Sequence, residues 1–433
     1  MKLKALATAS ILPLVLLPGM ALATNGYFSH GYGVKSMGMA GVGIALPQDG
    51  LAAATNPAGT AFVGNRLDLG LTWFRPTRGS EIEGNSFGPG MPNLNGSYDA
   101  NESQNFFIPE LGYAQQLSPN WAMGVAVYGN GGMNADYGTS PFQPMAGPIP
   151  IGSGGVDLSQ LFISPSLAWK INENHALGVA LNLAYQRFKM EGIQPFAWAG
   201  PPNSPYPYSE SRSDMTNNGY DSSYGWGIRI GYTGKITPEL TLGATWASKT
   251  YMTEFDKYKG LFAEQGDFDI PSNFGIGLAW KATNELTIAG DYQRILYNQV
   301  ASIGNPDTNL YQGNLFGSSN GPGFGWENVN VWKIGAAYAM GDWTLRGGYS
   351  YVDQPIPESQ TFLNTFAPGV VQHHLSLGAT WRVSKDGELS MQYTHAFKET
   401  VNGVNSIGAP LGGGEANIWM YQDSLSVGYG WKF

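Results

Sequence analysis

Apolar and polar residues alternate with a period of two in a series of segments that begins at Arg66 and continues to the C-terminus. Alternation of this kind predicts β-strands whose two faces meet different surroundings. The segments are roughly ten to seventeen residues long, which suits strands that cross a membrane at a tilt. About fourteen strands are predicted, an even number as in single-chain bacterial barrels. Their starts lie near Arg66, Asn105, Asn120, Asp157, Asn174, Ser222, Glu239, Asp269, Glu285, Gly325, Asp342, Val370, Gly387 and Ile418.

The last predicted strand shows the two faces most clearly. Its odd-numbered positions are large and apolar and its even-numbered ones are mostly small, so we expect the first set to face lipid and the second the lumen. The chain ends on an aromatic residue, a common feature of proteins inserted by the outer-membrane barrel assembly machinery. The odd set is Leu425, Val427, Tyr429, Trp431 and Phe433, and the even set is Ser424, Ser426, Gly428, Gly430 and Lys432.

The connections between the predicted strands alternate in length. Short ones consist of turn-forming residues, as in Ser118-Pro119-Asn120 and Thr237-Pro238-Glu239. Long ones lie between them, such as the stretch over residues 191–221. Short turns on the periplasmic rim and long loops on the outer rim are typical of outer-membrane barrels. No second folded unit is predicted, so residues 66–433 are assigned to one antiparallel transmembrane β-barrel.

The composition agrees with an all-β membrane protein. Only 13% of the 433 residues are charged, against about 25% in soluble domains. The mean hydropathy is −0.18, and beyond the N-terminus no apolar run approaches the roughly 20 residues of a spanning helix. A barrel explains both facts, because only alternate residues of its strands meet lipid. The net charge of −9 and the lack of a basic patch argue against nucleic-acid binding.

Residues 1–23 have the organisation of a secretory signal peptide. Lys2 and Lys4 precede an apolar core, and Ala21-Leu22-Ala23 offers a small-x-small cleavage site. A membrane anchor is the alternative, which the short apolar run disfavours. The sequence has no cysteine, so the exported protein must rely on the closed hydrogen-bond network of a barrel rather than on disulfides. We therefore predict a location in the outer membrane of a Gram-negative bacterium.

Residues 24–65 are predicted to form a plug inside the barrel. The stretch from Asn25 to Gly59 is rich in glycine and alanine and poor in charge, which suits compact backbone with short helical turns. It ends at Asn56-Pro57-Ala58, where the proline removes an amide donor and restricts the residue before it. We call this plug the hatch.

The segments Phe28-Ser29-His30-Gly31 and Asn56-Pro57-Ala58, with a track of small residues over 35–43 between them, resemble the hatch of the outer-membrane long-chain fatty-acid transporter family, the FadL type. The resemblance covers essentially the whole mature chain. Further similar segments are Asn130-Gly131-Gly132, residues 184–189, residues 343–348 and residues 353–357.

This resemblance implies a fourteen-stranded barrel plugged by its own hatch, acting as a monomer. Members of the family take up hydrophobic molecules without energy input. The ligand is captured at extracellular loops, binds inside the barrel and leaves sideways into the outer-membrane lipid beside a kinked third strand. Hatch rearrangement couples binding to release, and the corresponding hatch residues here are Phe28, Ser29, Asn56, Pro57 and Ala58.

The third predicted strand, Trp121 to Asn130, runs into glycines. Gly129, Gly131 and Gly132 surround Asn130, and glycines there permit a bulge that breaks pairing with a neighbour and leaves a gap without bulky side chains. Together with the resemblance, this nominates the four residues Gly129 to Gly132 as the lateral opening. The alternative is an ordinary strand end that leads into a Gly-rich loop.

Two groups of residues are candidates for binding the ligand. Phe196 and Trp198 lie on a long loop, where exposed aromatics are costly unless they bind something or pack on each other. We expect them to form a first capture site, and self-packing over the barrel mouth is the alternative. Arg229 and Lys333 face inward near the barrel middle and are nominated to meet a fatty-acid carboxylate. Alternatively, such cations pair with carboxylates of the hatch or wall.

One departure from the family concerns the ligand charge. Where fatty-acid transporters carry an arginine at the end of the fifth strand, this chain has Gly192. That puts a strict carboxylate site in question and leaves neutral ligands open, such as alkanes, aromatic hydrocarbons or esters.

Other classes of protein were weighed against a transporter. A general diffusion porin lacks a plug and lines its lumen with many charges. An outer-membrane esterase could use His374 and Ser376, which share one face of a strand, but no third residue is placed to orient the histidine. A structural or adhesive barrel is a further alternative. No cofactor or metal site is predicted, because the histidines are scattered apart from one adjacent pair.

Overall fold

The structure is a computed structural model that describes residues 24–198 and 208–433. The predicted signal peptide, residues 1–23, lies outside the described residues. Within them, no helix has the length and apolar character needed to cross a membrane.

Fourteen antiparallel strands pair with their sequence neighbours, and β1 pairs with β14 from Arg66 opposite Lys432 to Glu83 opposite Glu415, which closes the barrel. The prediction of a fourteen-stranded barrel is confirmed. The strands are β1 Arg66–Glu83, β2 Phe106–Gln116, β3 Trp121–Tyr137, β4 Gly154–Lys170, β5 His175–Glu191, β6 Asp221–Lys235, β7 Leu240–Ala247, β8 Asn273–Lys281, β9 Leu286–Ile295, β10 Val329–Met340, β11 Trp343–Val352, β12 His373–Arg382, β13 Gly387–Val401 and β14 Glu415–Lys432.

Two short strands and several short helices lie outside the barrel ladder. Gly96–Asp99 pairs with the upper part of β1, and Tyr251–Met252 pairs with β6. The α-helical turns are Val34–Met37, Ala52–Thr55, Gln194–Ala197, Ala263–Gly266 and Ala301–Gly304. The 3-10 turns are Pro57–Phe62, Gln143–Ala146, Arg212–Asp214, Asp256–Tyr258, Tyr297–Gln299, Asp307–Gln312, Glu358–Gln360, Leu363–Thr365 and Ala409–Leu411.

The two faces of the wall differ as the alternation predicts. On β14, Trp431 is 53% exposed and Val427 is 48% exposed, whereas Ser426, directly before Val427, is fully buried. Large apolar residues therefore cover the outer surface of the barrel, where the hydrocarbon of a membrane satisfies them. Small and polar residues line the lumen.

The extent of β3 differs from the sequence-based expectation. The strand was predicted to end at Asn130, but it continues to Tyr137 and keeps its pairing with β4 as far as Tyr137 opposite Gly154. The glycines thus lie inside the strand rather than at its end, because a bulge lets the ladder resume after them.

Candidate functional site

The N-terminal segment, residues 24–65, packs against the lumen side of the wall through Asn56. The side-chain amide of Asn56 donates to Ile44 O at 2.8 Å and to Tyr232 O at 2.9 Å, and its Oδ1 accepts from Ala58 N at 3.1 Å. Pro57 and Ala58 follow it into the 3-10 turn. The wall makes room for this turn, because a Cβ on Gly178 would lie only 2.2 Å from Ala58 N. The hydrogen bonds of Asn56 therefore hold the segment's own backbone together and attach the segment to β6.

A buried ion cluster holds the same segment near the periplasmic end. Lys35, which is 6% exposed, pairs with Glu388 of β13. Arg66 also pairs with Glu388, and its Nε lies 2.6 Å from Asp68 Oδ2. Gly50 N donates to the same Asp68 oxygen at 2.8 Å. Each cation thus has a carboxylate partner, which buried charges require.

The wall has a gap between β2 and β3. Their ladder runs from Gln116 opposite Ala122 only as far as Leu111 opposite Val127. On the other side of β3, the register with β4 shifts between Gly129 and Gly131. The bulge at Asn130 thus lies where the β2 side of β3, above Val127, has no strand partner within the described residues.

The N-terminal segment covers this gap from inside. Phe28 forms an antiparallel bridge with Gly131. Ser29 N donates to Asn130 O at 2.8 Å, and Gly132 N donates to Tyr27 O at 3.0 Å. A Cβ on Gly131 would lie 1.9 Å from Tyr27 O, so only glycine permits this approach. Residues 27–29 therefore take the edge position that β2 leaves vacant.

An apolar pocket lies under the extracellular loops and is partly open to solvent. Phe196 lines it and is 1% exposed, and Trp198 packs against the same apolar cluster. Of the described residues that line it, none is charged. They are Phe142, Met190, Ile193, Phe196, Leu261, Phe262, Ser302, Phe316, Pro322, Gly323, Phe324, Leu363 and Phe366.

A second, polar cavity is lined by both cations that the sequence nominated. Lys333 Nζ donates to His30 O at 2.9 Å, and Arg229 Nη1 donates to Thr55 O at 3.2 Å. Asp291 lines the same cavity and accepts from Gly43 N at 2.8 Å. Arg229 Nε and Asp291 Oδ1 have no hydrogen-bond partner among the described residues.

An aromatic box surrounds Tyr27 beside the gap. Its ring lies 5.3 Å from that of Tyr297, 5.8 Å from Trp326 and 6.1 Å from Phe268. Phe268 in turn lies 4.8 Å from Phe262 of the apolar pocket. Contacts between rings thus connect the pocket to the gap. Sequence reasoning missed this box, because its members come from the N-terminal segment and two separate loops and share no local pattern.

The residues considered for esterase chemistry do not form a reactive pair. The ring of His374 stacks on His30 with centroids 5.0 Å apart, and Ser376 Oγ is bonded to Thr394 Oγ1 at 2.8 Å. The serine therefore engages the neighbouring strand instead of the histidine. Among the described residues, no group of three or more metal-ligating side chains is arranged to hold a metal.

A closed fourteen-stranded barrel with a lipid-facing wall and an occupied lumen defines a transmembrane barrel of the bacterial outer membrane. The profile of the outer membrane protein transport protein family (OMPP1/FadL/TodX) matches residues 16–415. The chain belongs to this family, as the resemblance in its sequence predicted. No curated protein matches the sequence significantly.

Solved structures of similar proteins share the fold. A FadL homologue of Pseudomonas aeruginosa superposes with a TM-score of 0.69 at 17% identity, over 94% of this chain and all of the other. The toluene transporter TodX of Pseudomonas putida gives 0.66 at 19% identity, over 93% and 99%. The toluene transporter TbuX of Ralstonia pickettii gives 0.63 at 16% identity, over 93% and 99%.

Membership in this family makes the protein an outer-membrane transporter of hydrophobic compounds rather than an enzyme. It also sets aside the general diffusion porin and the esterase as functions of this chain.

Proposed function

We propose that the protein takes hydrophobic molecules from the extracellular side into the apolar pocket and releases them sideways, through the gap between β2 and β3, into the outer membrane. The observation that carries this proposal is the interrupted pairing above Leu111 and Val127, where residues 27–29 cover the lower part of the gap from inside. Sideways release keeps the ligand out of water, and exposing it there would cost about 0.8 kcal/mol per CH₂.

The apolar pocket supports binding at the mouth of the barrel. Phe196 and Trp198 are the proposed capture residues, and Phe196 has its ring edge-on to Phe142 at 5.1 Å. Because the loops pack on one another and still leave a cavity, self-packing and capture operate together here. The packed rings provide an apolar wall, and the cavity provides the space that a ligand fills.

The charge distribution favours uncharged ligands. The described lining of the pocket has no cation for a carboxylate, while Lys333 and Arg229 lie in the polar cavity and donate to carbonyls of the N-terminal segment. Burying an ionised carboxylate without a partner is strongly unfavourable. We therefore propose hydrocarbons or similar neutral molecules as the substrate class, in line with the two relatives that are named toluene transporters.

Fatty-acid transport is the second candidate. Arg229 Nε points to it, because this buried donor has no partner among the described residues and lies in the polar cavity. A carboxylate that reached this cavity would give the guanidinium its missing acceptor.

The N-terminal segment is proposed as the gate, a hatch with two attachments. Asn56, with Pro57 and Ala58, fixes one end to β5 and β6, while Phe28 and Ser29 cover the gap. Ligand in the apolar pocket would press on Phe262 and Phe268 and so on Tyr27, which loosens the cover. The hatch would act within a single barrel. The barrel assembly machinery would insert this barrel into the lipid of the outer membrane.

A reversible disulfide tests the route. Ser29 and Asn130 are neighbours across the bridge, where Ser29 N donates to Asn130 O at 2.8 Å, and directly opposed residues of an antiparallel pair are close enough for a disulfide. The natural chain has no cysteine. In outer-membrane-intact cells that lack their own transporter, oxidised Ser29→Cys/Asn130→Cys should block uptake of labelled toluene, and a reductant should restore it.

The matched control is Ser376→Cys/Thr394→Cys, a cross-strand pair in the intact part of the wall. Its oxidation should leave uptake unchanged. Normal toluene uptake through the oxidised Ser29 variant would contradict the lateral route. Labelled oleate in the same cells decides the substrate class, because uptake of oleate alone would favour the fatty-acid candidate.

A further inference from the structure

Arg78 of β1 is a fully buried cation with no carboxylate within ion-pair distance among the described residues. All its contacts are with neutral oxygens. Nε donates to Asn134 O at 2.7 Å, Nη2 donates to Ser103 O at 2.9 Å and Nη1 donates to Pro76 O at 3.1 Å. Nη2 also donates to Asn134 Oδ1. Four of the five guanidinium N–H groups are thus in use.

These contacts lie at the upper end of the gap. The free edge of β3 presents backbone groups at alternate residues, and buried groups of this kind need partners. Residues 27–29 satisfy Asn130 O and Gly132 N, and residues 100–102 satisfy Asp136 through bonds of 3.1 Å. Asn134 O lies between them, and its partner is the side chain of Arg78. A side chain here replaces the hydrogen bond of a missing strand.

We propose that Arg78 sets the size of the lateral opening, and hence the size of the molecule that can leave through it. The guanidinium joins Ser103, at the approach to β2, to Asn134 of β3, so the two sides cannot separate above the hatch contacts. This proposal rests on lateral release as the proposed function. Arg78 is a positioning residue, because its engaged donors leave at most one N–H for a ligand.

Transport of molecules of two sizes tests the proposal. Arg78→Met keeps much of the side-chain length but removes every donor. In outer-membrane-intact cells, the ratio of labelled pyrene uptake to labelled toluene uptake should rise about tenfold, since even one lost charge-assisted bond shifts an opening equilibrium by that factor. Arg78→Lys keeps one charged group and should give an intermediate ratio. Arg75→Met, an exposed arginine on the same strand, should give the parental ratio.

Distances across the gap provide a second readout that does not depend on transport. Spin labels are placed on two exposed positions, Phe107→Cys of β2 above the last β2–β3 pair and Ile163→Cys of β4, at the residue that pairs with Val127 of β3. Their distance distribution should lengthen or broaden in Arg78→Met and stay parental in Arg75→Met. An unchanged distribution together with an unchanged uptake ratio would overturn the role of Arg78.

The two proposals fail in different ways. If the oxidised Ser29→Cys/Asn130→Cys variant transports toluene normally, lateral release is wrong whatever Arg78 does. If that disulfide blocks transport but Arg78→Met changes neither the ratio nor the distances, lateral release stands and only the role of Arg78 is wrong.

Discussion

Phe28 of the N-terminal segment forms an antiparallel β-bridge with Gly131 of β3, as residues of neighbouring strands do, although the two residues are about a hundred positions apart in the chain. The contact depends on the missing side chain of Gly131, whose Cβ would meet Tyr27 O at 1.9 Å. Even a methyl group at residue 131 would therefore collide with the segment that covers the gap.

Gly131→Ala is expected to detach residues 27–29 from β3 while leaving the barrel intact. Loss of the bond from Ser29 N to Asn130 O should speed hydrogen exchange of that amide by about tenfold or more, as the loss of a bond worth roughly 1 to 3 kcal/mol requires. Exchange followed by mass spectrometry measures this. The control Gly347→Ala meets its first side-chain atom at 3.7 Å and should exchange like the parent; equal exchange in both variants would count against the bridge.

Asn56→Ala should loosen the other attachment of the hatch. The side chain donates to Ile44 O, Tyr232 O and Thr233 Oγ1, and these acceptors would lose their partner. We expect a loss of about 1 to 3 kcal/mol in the stability of the hatch, measured as faster proteolysis within residues 24–65. The exposed Asn120→Ala, whose amide donates to Lys170 O at 3.2 Å, serves as the control and should leave the cleavage rate unchanged.

Glu388→Gln should destabilise the protein because it leaves Lys35 and Arg66 without their shared carboxylate. Breaking a buried ion pair by removing one partner costs about 3 to 5 kcal/mol. Urea unfolding in detergent micelles, followed by tryptophan fluorescence, measures the change. Asp342→Asn removes an exposed carboxylate that lies 3.9 Å from Arg382 and should change little, so an equal effect of both substitutions would argue against a special role for the buried cluster.

Asp307 should make the stability depend on pH. This loop residue is 2% exposed, and burial raises the pKa of its carboxyl to about 7 from 3.8. The folded state therefore holds a proton that the unfolded state has already lost, so stability should fall as the pH rises from about 4 to about 7 and then level off.

Asp307→Asn removes this titration. The variant should be more stable than the parent at pH 8, by up to about 4 kcal/mol, and should match it near pH 3. Unfolding in urea at several pH values gives the comparison. Asp256→Asn, on an exposed loop turn, is the control. A parent and an Asp307 variant with parallel pH profiles would contradict the assignment.

The sequence predicts the barrel well because the alternation is imposed by lipid on every strand. The expected starts at Arg66 and Gly387 coincide with the observed ones. Expected starts at Gly325 and Val370 lie several residues before Val329 and His373, because apolar loop residues that pack over the lumen continue the pattern beyond the ladder.

Contacts within the lumen were harder to predict. Parity indicated that Arg229 and Lys333 face inward, and the structure places both at one cavity. Their roles as ligand contacts stay predictions. Parity gives no distances between strands, so it could not show that Lys333 meets His30 O or that Arg78 reaches Asn134. The two short strands at residues 96–99 and 251–252 were also missed, since each is too short to show alternation.

The ladder between β1 and β14 has a consequence for biogenesis. It joins the first and last strands of the barrel over the whole length of both, so it pairs residues that are farthest apart in the chain and has the highest cost of loop closure. The N-terminal segment directly precedes β1 and is enclosed once this seam is made. Pairing of β1 with β14 is thus expected to be the slow step of assembly and the step that encloses the hatch. A chain whose N-terminal segment is still outside when these strands pair would form an empty pore.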